Sequence, residues 1–448
     1  MQATLFGASA ATNGFRDSSF AKNRNLPLHR WVPWVAGFSA DFVEDAIRSY
    51  LPSGDSICWV LDPFAGVGTT LVEAYLDGLN VVGFEINPYA ALATRIKLSA
   101  MKISVHNLTR QISLFERFME RAEGGALKRG PRSTPPVGFS GRTQLFSPKV
   151  ERKVLYALDF IDSIEDAFLR DVFRLGLGSV MVSFSNYSYE PSLTRRAAVG
   201  KPNILDANVG LTLSAKLHLI LEDIGWVQGH MKTLGCRPKV KMFSRSIFSA
   251  LDCIDERGFV DLLVTSPPYL NNYHYPRNTR PQLHWLGFAS GTGYNGARET
   301  ESFGKFWQTV RDSAPISLDF DMPELSKVIE SIRGRNPEKG CYGGSGWANY
   351  VATYFNDTYR FCKVLAELMK PKAVSIIVLG NSIIQGVEVK TDCFFGRIGE
   401  LVGLSFEDNH LLRNKRTGNS IIQSSVRVAG AKEKTVLYES GVVLRKAS

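Results

Sequence analysis

Several features of common protein classes are missing from this 448-residue sequence. Its six cysteines are scattered and form no Cys-x-x-Cys pair, which argues against a zinc site and favours a reducing compartment. No apolar run is long enough to span a bilayer. Residues 1–28, predicted to be a flexible arm, lack the apolar core of a secretory signal. We therefore expect a cytoplasmic protein.

Acidic residues are in deficit. The chain has 43 Asp and Glu against 53 Lys and Arg, a net charge of +10. A basic surface attracts polyanions, because phosphate contacts supply most non-specific affinity for nucleic acid. A solvated basic surface explains the same numbers, so charge alone leaves nucleic-acid binding open. An apolar content of 44% is ordinary for a soluble protein, and the length predicts a large core and two units.

The tetrapeptide Ser266, Pro267, Pro268 and Tyr269 is the most informative segment. It follows the apolar run 260–265, which predicts a buried parallel strand. Ligands of open α/β sheets bind at this carboxyl edge. The prolines have no N–H, so a serine hydroxyl, free carbonyls and an aromatic ring are presented together. This set can hold the amine of a planar heterocycle, such as a nucleobase taken out of its stack.

A glycine-rich turn follows an earlier predicted strand. Residues 62–70 contain Gly66 and Gly68, which permit close approach of a ligand to the backbone. The dinucleotide fingerprint requires a third glycine at position 71, where the chain has leucine. A second predicted strand ends at Glu85, and an acid in that place typically accepts ribose hydroxyls. The pattern therefore favours a nucleoside cofactor without a pyrophosphate, such as S-adenosyl-L-methionine.

Residues 62–70 resemble motif I of the amino-methyltransferases that act on DNA, and residues 265–269 resemble their motif IV. The resemblance implies a Rossmann-like class I methyltransferase sheet in the α/β class, interrupted by a mostly helical insertion. It also implies methyl transfer to the N4 amine of cytosine or the N6 amine of adenine. Members with serine first in motif IV mostly methylate cytosine N4, so the resemblance favours that target for Ser266.

The resemblance also implies site residues. The catalytic set is Ser266, Pro267, Pro268 and Tyr269, in which Ser266 and the Pro267 carbonyl hold the amine and Tyr269 stacks on the base. The cofactor set is Asp62, Phe64, Ala65, Gly66, Gly68, Thr69, Glu85 and Asn87.

Other segments match the family more loosely. Residues 29–39 resemble motif X, which packs near the methionine end of the cofactor, and 350–382 and 426–445 resemble the late helix, strand and hairpin. The family usually has an acid near the cofactor adenine on the strand before motif IV. Residues 241–246 contain none, and Ser244 or Ser246 could substitute.

The motif order predicts an interrupted catalytic domain. Its parts are 29–100, 236–270 and 347–448. Residues 101–235 are predicted to form a helical insertion for target recognition, because a loop of that length requires its own structure. Residues 271–346 are predicted to form a mobile insertion beside the substrate.

Double-stranded DNA is the predicted substrate. The candidate phosphate contacts are Arg195, Arg196, Arg277 and Arg280. Further candidates are the pair Lys128 and Arg129 and the group Arg413, Lys415 and Arg416. Residues 271–275, directly after motif IV, could contact the base, and His274 is a candidate base for the amine proton.

Three alternatives remain open: an adenine-N6 DNA methyltransferase, an RNA base methyltransferase and a catalytically inactive DNA-binding subunit. By resemblance, the setting is bacterial and nucleoid-associated, in restriction–modification or phage defence, with a cognate endonuclease or defence-system protein as partner.

Overall fold

The computed structural model describes residues 15–16, 20–34, 37–51, 58–137, 144–190, 192–270, 275–290, 298, 300–414 and 437–448. The predictions for Asn271 to His274, Lys415 and Arg416 lie outside them.

Eleven strands are present in the described residues. They are β1 Trp59–Asp62, β2 Asn80–Phe84, β3 Tyr187–Tyr189, β4 Leu193–Arg195, β5 Val240–Phe243, β6 Val260–Thr265, β7 Met369–Gly380, β8 Ser382–Ile384, β9 Val387–Val389, β10 Leu404–Asn414 and β11 Tyr438–Lys446. Seven of them form one sheet in the order β10-β11-β7-β6-β1-β2-β5, while β3–β4 and β8–β9 are separate hairpins.

The sheet is mostly parallel. Strands β5, β2, β1, β6 and β7 run parallel to one another, and β11 pairs antiparallel with both β7 and β10. Strand β1 therefore lies between β2 and β6, although β6 follows it by about two hundred residues in the chain. The carboxyl ends of β1, β2, β5 and β6 consequently meet at one edge.

Both faces of the sheet are covered. Successive strand residues point to opposite faces, so Val60 and Val81 belong to one hydrophobic cluster while Leu61 and Val82 belong to the other. Strands buried on both sides consist of near-continuous apolar residues, which is why the strands were recognisable in the sequence.

The first half of the chain supplies seven α-helices to the described residues. They are α1 Ala40–Tyr50, α2 Thr69–Leu76, α3 Pro88–Leu98, α4 Val105–Glu123, α5 Pro148–Asp162, α6 Ala167–Val180 and α7 Val209–Leu234. Helices α4 to α7 lie between β2 and β5 in the chain. Several begin at capping side chains, as where Asp166 accepts the Phe168 and Leu169 N–H groups and Asn208 accepts that of Leu211.

The second half supplies α8 Ala250–Cys253, α9 Tyr275–Trp285, α10 Trp307–Val310, α11 Pro323–Arg333, α12 Gly344–Leu368 and α13 Thr391–Glu400. Short 3-10 helices lie at Phe20–Asn25, His29–Trp31, Ala100–Lys102, Arg196–Val199, Ile247–Ser249 and Pro337–Tyr342. Among the helices of the described residues, none has the length and apolar character to cross a membrane.

The predicted fold class is confirmed: the protein has a Rossmann-like α/β sheet, and the segment between β2 and β5 is mostly helical. The domain boundaries stay a prediction. The core of the helical segment is continuous with one face of the sheet, because Phe115 of α4 and Phe173 of α6 belong to the same cluster as Val60 of β1.

A buried aspartate on α7 holds the segment that precedes α1. Asp223 is 1% exposed and accepts the Leu28 backbone N–H at 2.8 Å and the Trp31 indole N–H at 2.8 Å. Both oxygens also accept from the Arg30 guanidinium. The N-terminal segment is thus fixed to the helical insertion.

We expect Asp223→Ala to lower the free energy of unfolding by about 3–5 kcal/mol, because it leaves two buried N–H donors without an acceptor and removes the buried partner of Arg30. Urea denaturation measures this loss. Glu222→Ala is the matched control, since Glu222 also pairs with Arg30 but its side chain is 74% exposed; its cost should stay below about 1 kcal/mol. Equal losses in the two variants would contradict the anchoring role.

Candidate active site

A cleft opens at the carboxyl edge of the sheet, where β1, β2, β5 and β6 end. It encloses about 1130 Å³ of empty space, counting its open mouth. Its walls come from all four strand ends and from residues 302–306. The lining residues are Trp34, Pro63, Phe64, Gly66, Glu85, Ile86, Asn87, Arg245, Ser246, Ile247, Ser266, Pro268, Tyr269, Pro276, Ser302, Phe303, Gly304, Lys305, Phe306 and Tyr350.

A buried carboxyl group joins the ends of β1 and β6. The Thr265 hydroxyl donates to Asp62 Oδ1 at 2.6 Å, across 203 positions of sequence, and the Phe64 N–H donates to the same oxygen at 3.1 Å. Asp62 is 1% exposed, and burial raises its pKa to about 6. Asp62 therefore orients the glycine-rich turn relative to the Ser266 segment.

Glu85 fastens the turn from the side of β2. Its two oxygens accept the Gly66 and Asn87 N–H groups, each at 2.7 Å. Gly66 has a φ of +51° and lies against the Trp34 indole, whose Nε1 would be 3.3 Å from an added Cβ. Glu85 is only partly exposed to the cleft, and burial raises its pKa to about 7.

Helix α3 supports the same turn from beneath, a contribution that the motifs did not indicate. The Thr94 hydroxyl donates to the Gly66 carbonyl at 2.9 Å, and the Lys97 ammonium donates to the Val67 carbonyl at 2.7 Å. Lys97 is fully buried, which lowers its pKa to about 7. Residues three apart lie on the same face of a helix. A threonine and a lysine at this spacing in an otherwise apolar helix could therefore have indicated this contact from the sequence.

Tyr269 is hydrogen-bonded to β11, which lies two strands away from β6 in the sheet. Its hydroxyl donates to Glu439 Oε1 of β11 at 3.0 Å, and Glu439 also pairs with Arg413 of β10. Ser266 and Pro268 line the cleft beside Tyr269, whereas Pro267 is buried. Nothing in the sequence indicated Glu439, because its relation to Tyr269 depends on the placement of β11 in the sheet.

The predicted cofactor residues divide into two groups. Phe64, Gly66, Glu85 and Asn87 line the cleft. Asn87 is also the N-cap of α3, and its amide donates to Thr279 at 2.7 Å. The others are buried and are not among the lining residues: Asp62, Ala65, Gly68 and Thr69.

The two serines considered in place of an acid near β5 differ. Ser244 is exposed and does not line the cleft. Ser246 lines it, but its hydroxyl donates to the Glu301 carbonyl at 2.7 Å and accepts the Phe248 N–H at 3.3 Å. Between them, Arg245 lines the cleft and is exposed.

Residues 302–306, which belong to the predicted 271–346 insertion, form one wall of the cleft. Phe303 contacts Phe64 edge-on, with ring centroids 5.3 Å apart. Lys305 donates to the Ser302 carbonyl at 2.9 Å and lies 4.0 Å from Asp357. Burial lowers the Lys305 pKa and raises that of Asp357 to about 6.

The predicted phosphate contacts lie on two neighbouring elements. Arg195 ends β4 and Arg196 begins the turn after it, whereas Arg277 and Arg280 lie on α9. Asn278 of α9 joins the two elements, since it accepts from the Leu193 N–H and the Tyr189 hydroxyl, at 2.9 and 3.1 Å.

The side chains of these arginines differ in their exposure. Arg195 and Arg277 are exposed. Arg196 is partly exposed and donates to the Pro202 carbonyl. Arg413, from the further basic group, is the partner of Glu439.

Comparison with known proteins agrees with the motifs. A family model described as DNA methylase, for N6 and N4 methylation, matches residues 13–95. The Type II methyltransferase M.BsoBI of Geobacillus stearothermophilus is 26% identical over 440 residues, covering 90% of this chain and 83% of that protein. M.AvaI of Nostoc sp. is 23% identical over 408 residues, covering 87% and 81%.

Among solved structures, the rRNA methyltransferase AviRa of Streptomyces viridochromogenes aligns with 92% of this chain and 87% of its own. The identity is 11% and the TM-score 0.28, which is too low to support an inference about this chain.

Gly68 allows a test of how the turn packs on α3. It has a φ of +90°, and an added Cβ would lie 2.9 Å from two Thr94 atoms. We expect Gly68→Ala to cost about 1–2 kcal/mol for the left-handed backbone and a further 1–3 kcal/mol for the steric overlap. Gly125→Ala is the control, because Gly125 has a φ of +77° with nothing within 4 Å of the added Cβ. Urea denaturation that gave the same loss for both would contradict the packing argument.

Proposed function

We propose that the chain is a DNA amino-methyltransferase, as the family model and the relatives support, and that it transfers methyl from S-adenosylmethionine to the N4 amine of cytosine in double-stranded DNA. One observation carries the proposal: Ser266, after β6, lines the same cleft as Gly66 and Glu85, after β1 and β2. A group that can hold an amine and a turn that can hold a nucleoside thus share one open space.

The residues of the turn fit the cofactor. The Glu85 carboxylate accepts two backbone N–H groups and retains lone pairs, so it can also accept ribose hydroxyls. Gly66 presents no side chain, and Trp34 and Phe64 offer aromatic surfaces beside it. When bound, S-adenosylmethionine supplies a methyl group on a positively charged sulfur, and that sulfur departs as a neutral thioether.

The Ser266 segment fits the acceptor. The Ser266 hydroxyl and the Pro267 carbonyl can accept the two hydrogens of an exocyclic amine, which directs the nitrogen lone pair toward the methyl group. Because the leaving group is neutral, positioning supplies most of the catalysis. Tyr269 stacks on the base, at about 1–3 kcal/mol, which offsets much of the few kcal/mol that base flipping costs. The amine proton leaves to water after transfer.

The charge distribution supports a DNA substrate. The exposed Arg195 and Arg277 lie on elements that Asn278 joins, and α9 follows the Ser266 segment in the chain. Phosphate contacts here would orient the duplex without reading its sequence. Two relatives carry the name Type II methyltransferase, which supports a role as the modification enzyme of a restriction–modification system with a cognate endonuclease.

The proposal is tested by incubating the protein with isotopically labelled S-adenosylmethionine and duplex DNA, then identifying the product nucleoside by mass spectrometry. N4-methylcytosine is expected. Detection of N6-methyladenine would identify adenine as the target. Methylation of transfer RNA without methylation of DNA would exclude DNA as the substrate. If the cofactor does not bind, the protein is a DNA-binding subunit without this chemistry.

Ser266→Ala should lower kcat by about 10²–10³-fold, the usual effect of removing one group that acts on the reacting centre. Tyr269→Ala should weaken productive base binding by the stacking energy of about 1–3 kcal/mol. Single-turnover kinetics measure both effects. As a control, the dissociation constant of S-adenosylhomocysteine should stay within about threefold of wild type. An equal loss of cofactor binding in both variants would contradict the roles assigned.

Cofactor affinity should increase with pH around neutrality. The Glu85 pKa is about 7, and ribose hydroxyls donate best to the ionised form. The dissociation constant of S-adenosylhomocysteine should therefore rise by up to about tenfold per pH unit below 7. Titration calorimetry at pH 6, 7 and 8 measures it, and Glu85→Gln should remove the dependence. The exposed Glu256→Gln should keep it, and a dependence unchanged in Glu85→Gln would exclude Glu85 as its source.

A further inference from the structure

The strand order determines which part of the cofactor lies where, on the premise that the proposed function holds. The methyl group must face Ser266 at the end of β6, and the ribose lies at Glu85 at the end of β2. Strand β1 separates β6 from β2, and β5 is the neighbour of β2 on the other side. The nucleoside therefore extends across the sheet edge from β6 toward β5, which places its purine ring over the end of β5.

The end of β5 is close to Glu85. Phe84 of β2 is in register with Phe243 of β5, and the Glu85 N–H donates to the Phe243 carbonyl at 3.0 Å. Arg245, Ser246 and Ile247 follow within four residues and line the cleft there. A purine bound beyond the ribose thus meets this short segment.

Among the described residues, none that lines this end of the cleft is acidic. Glu85 is the only acidic side chain among the described residues that line the cleft, and it lies at the ribose position. The Ser246 hydroxyl is already bonded to Glu301 and Phe248. Hence none of the described residues that line the cleft offers a carboxylate at this end to accept the 6-amino group of adenine.

A cation lies there instead. Arg245 is exposed at the cleft, and its guanidinium has no hydrogen-bond or ion-pair partner within the part of the chain that the structure describes. Guanidinium has five N–H donors and no acceptor, and it stacks on planar rings. It can therefore donate to purine acceptor atoms, but it cannot accept from an amine.

We propose that Arg245 is a cofactor-binding residue that recognises the acceptor edge of the purine, so that recognition does not depend on the 6-amino group. A site built around a substrate N–H rejects an analogue without it by about 10⁴–10⁵-fold. A site in which the donor faces N3 or N7 accepts a 6-oxo purine, because these two nitrogens are acceptors in adenine and in hypoxanthine alike. The protein should therefore bind the hypoxanthine analogue of its cofactor nearly as well as the adenine form.

The test compares S-adenosylhomocysteine with S-inosylhomocysteine by titration calorimetry on the full-length protein. For wild type, we expect the two dissociation constants to agree within about threefold. A site that bonds the 6-amino group would instead separate them by about 10⁴–10⁵-fold. Arg245→Ala should weaken both ligands about tenfold, the factor that a loss of about 1.4 kcal/mol produces. Arg245→Asp introduces an acceptor and should bind the adenine form at least about tenfold more tightly than the oxo form.

Arg237→Ala is the matched control, because Arg237 is an exposed arginine that precedes β5 and does not line the cleft. It should leave both dissociation constants unchanged. Rejection of the inosyl ligand by wild type would overturn this inference alone. So would an unchanged affinity in Arg245→Ala, and a raised KM for DNA in that variant would then assign Arg245 to phosphate binding. No binding of S-adenosylhomocysteine by wild type would contradict the proposed function itself, and this inference with it.

Discussion

The contact between Thr265 and Asp62 is the constraint on which the site depends. It joins the last residue of β6 to the last residue of β1 inside the protein, where neither side chain reaches water. A buried carboxyl group without donors would destabilise the fold, so the bond favours one relative placement of the two strand ends. This bond therefore also fixes the position of the turn after β1 relative to the Ser266 segment after β6.

The support of this site comes from several directions. Glu85 fastens the glycine-rich turn from β2, Thr94 and Lys97 fasten it from α3, and Glu439 holds the hydroxyl of Tyr269. Each bond ties a segment that lines the cleft to a regular element with its own hydrophobic contacts. Such support matters for in-line transfer, because displacements of about 1 Å can cost two orders of magnitude in rate.

The electrostatics of the cleft vary along its length. Glu85 is the only acid among its described lining residues, while Arg245 and Lys305 are basic. Burial acts on opposite charges in opposite directions: it raises the pKa of Glu85 and lowers that of Lys305. Both shifts move the pKa toward neutral pH, so the charge of the cleft depends on pH and on what occupies it.

Local sequence patterns were enough to predict the sheet strands near the site and the two motifs at their ends, because buried strands are continuous apolar runs and the turns need particular residues. They also indicated the helical character of residues 101–235. The three-dimensional arrangement was needed to learn that Asp62, Gly68 and Thr69 do not line the cleft. It was also needed to find Arg245 and Glu439 beside the site, and to identify 302–306 as the part of the 271–346 segment that lines the cleft. These relations join segments far apart in the chain. They depend on strand order and helix packing, which local sequence patterns do not encode.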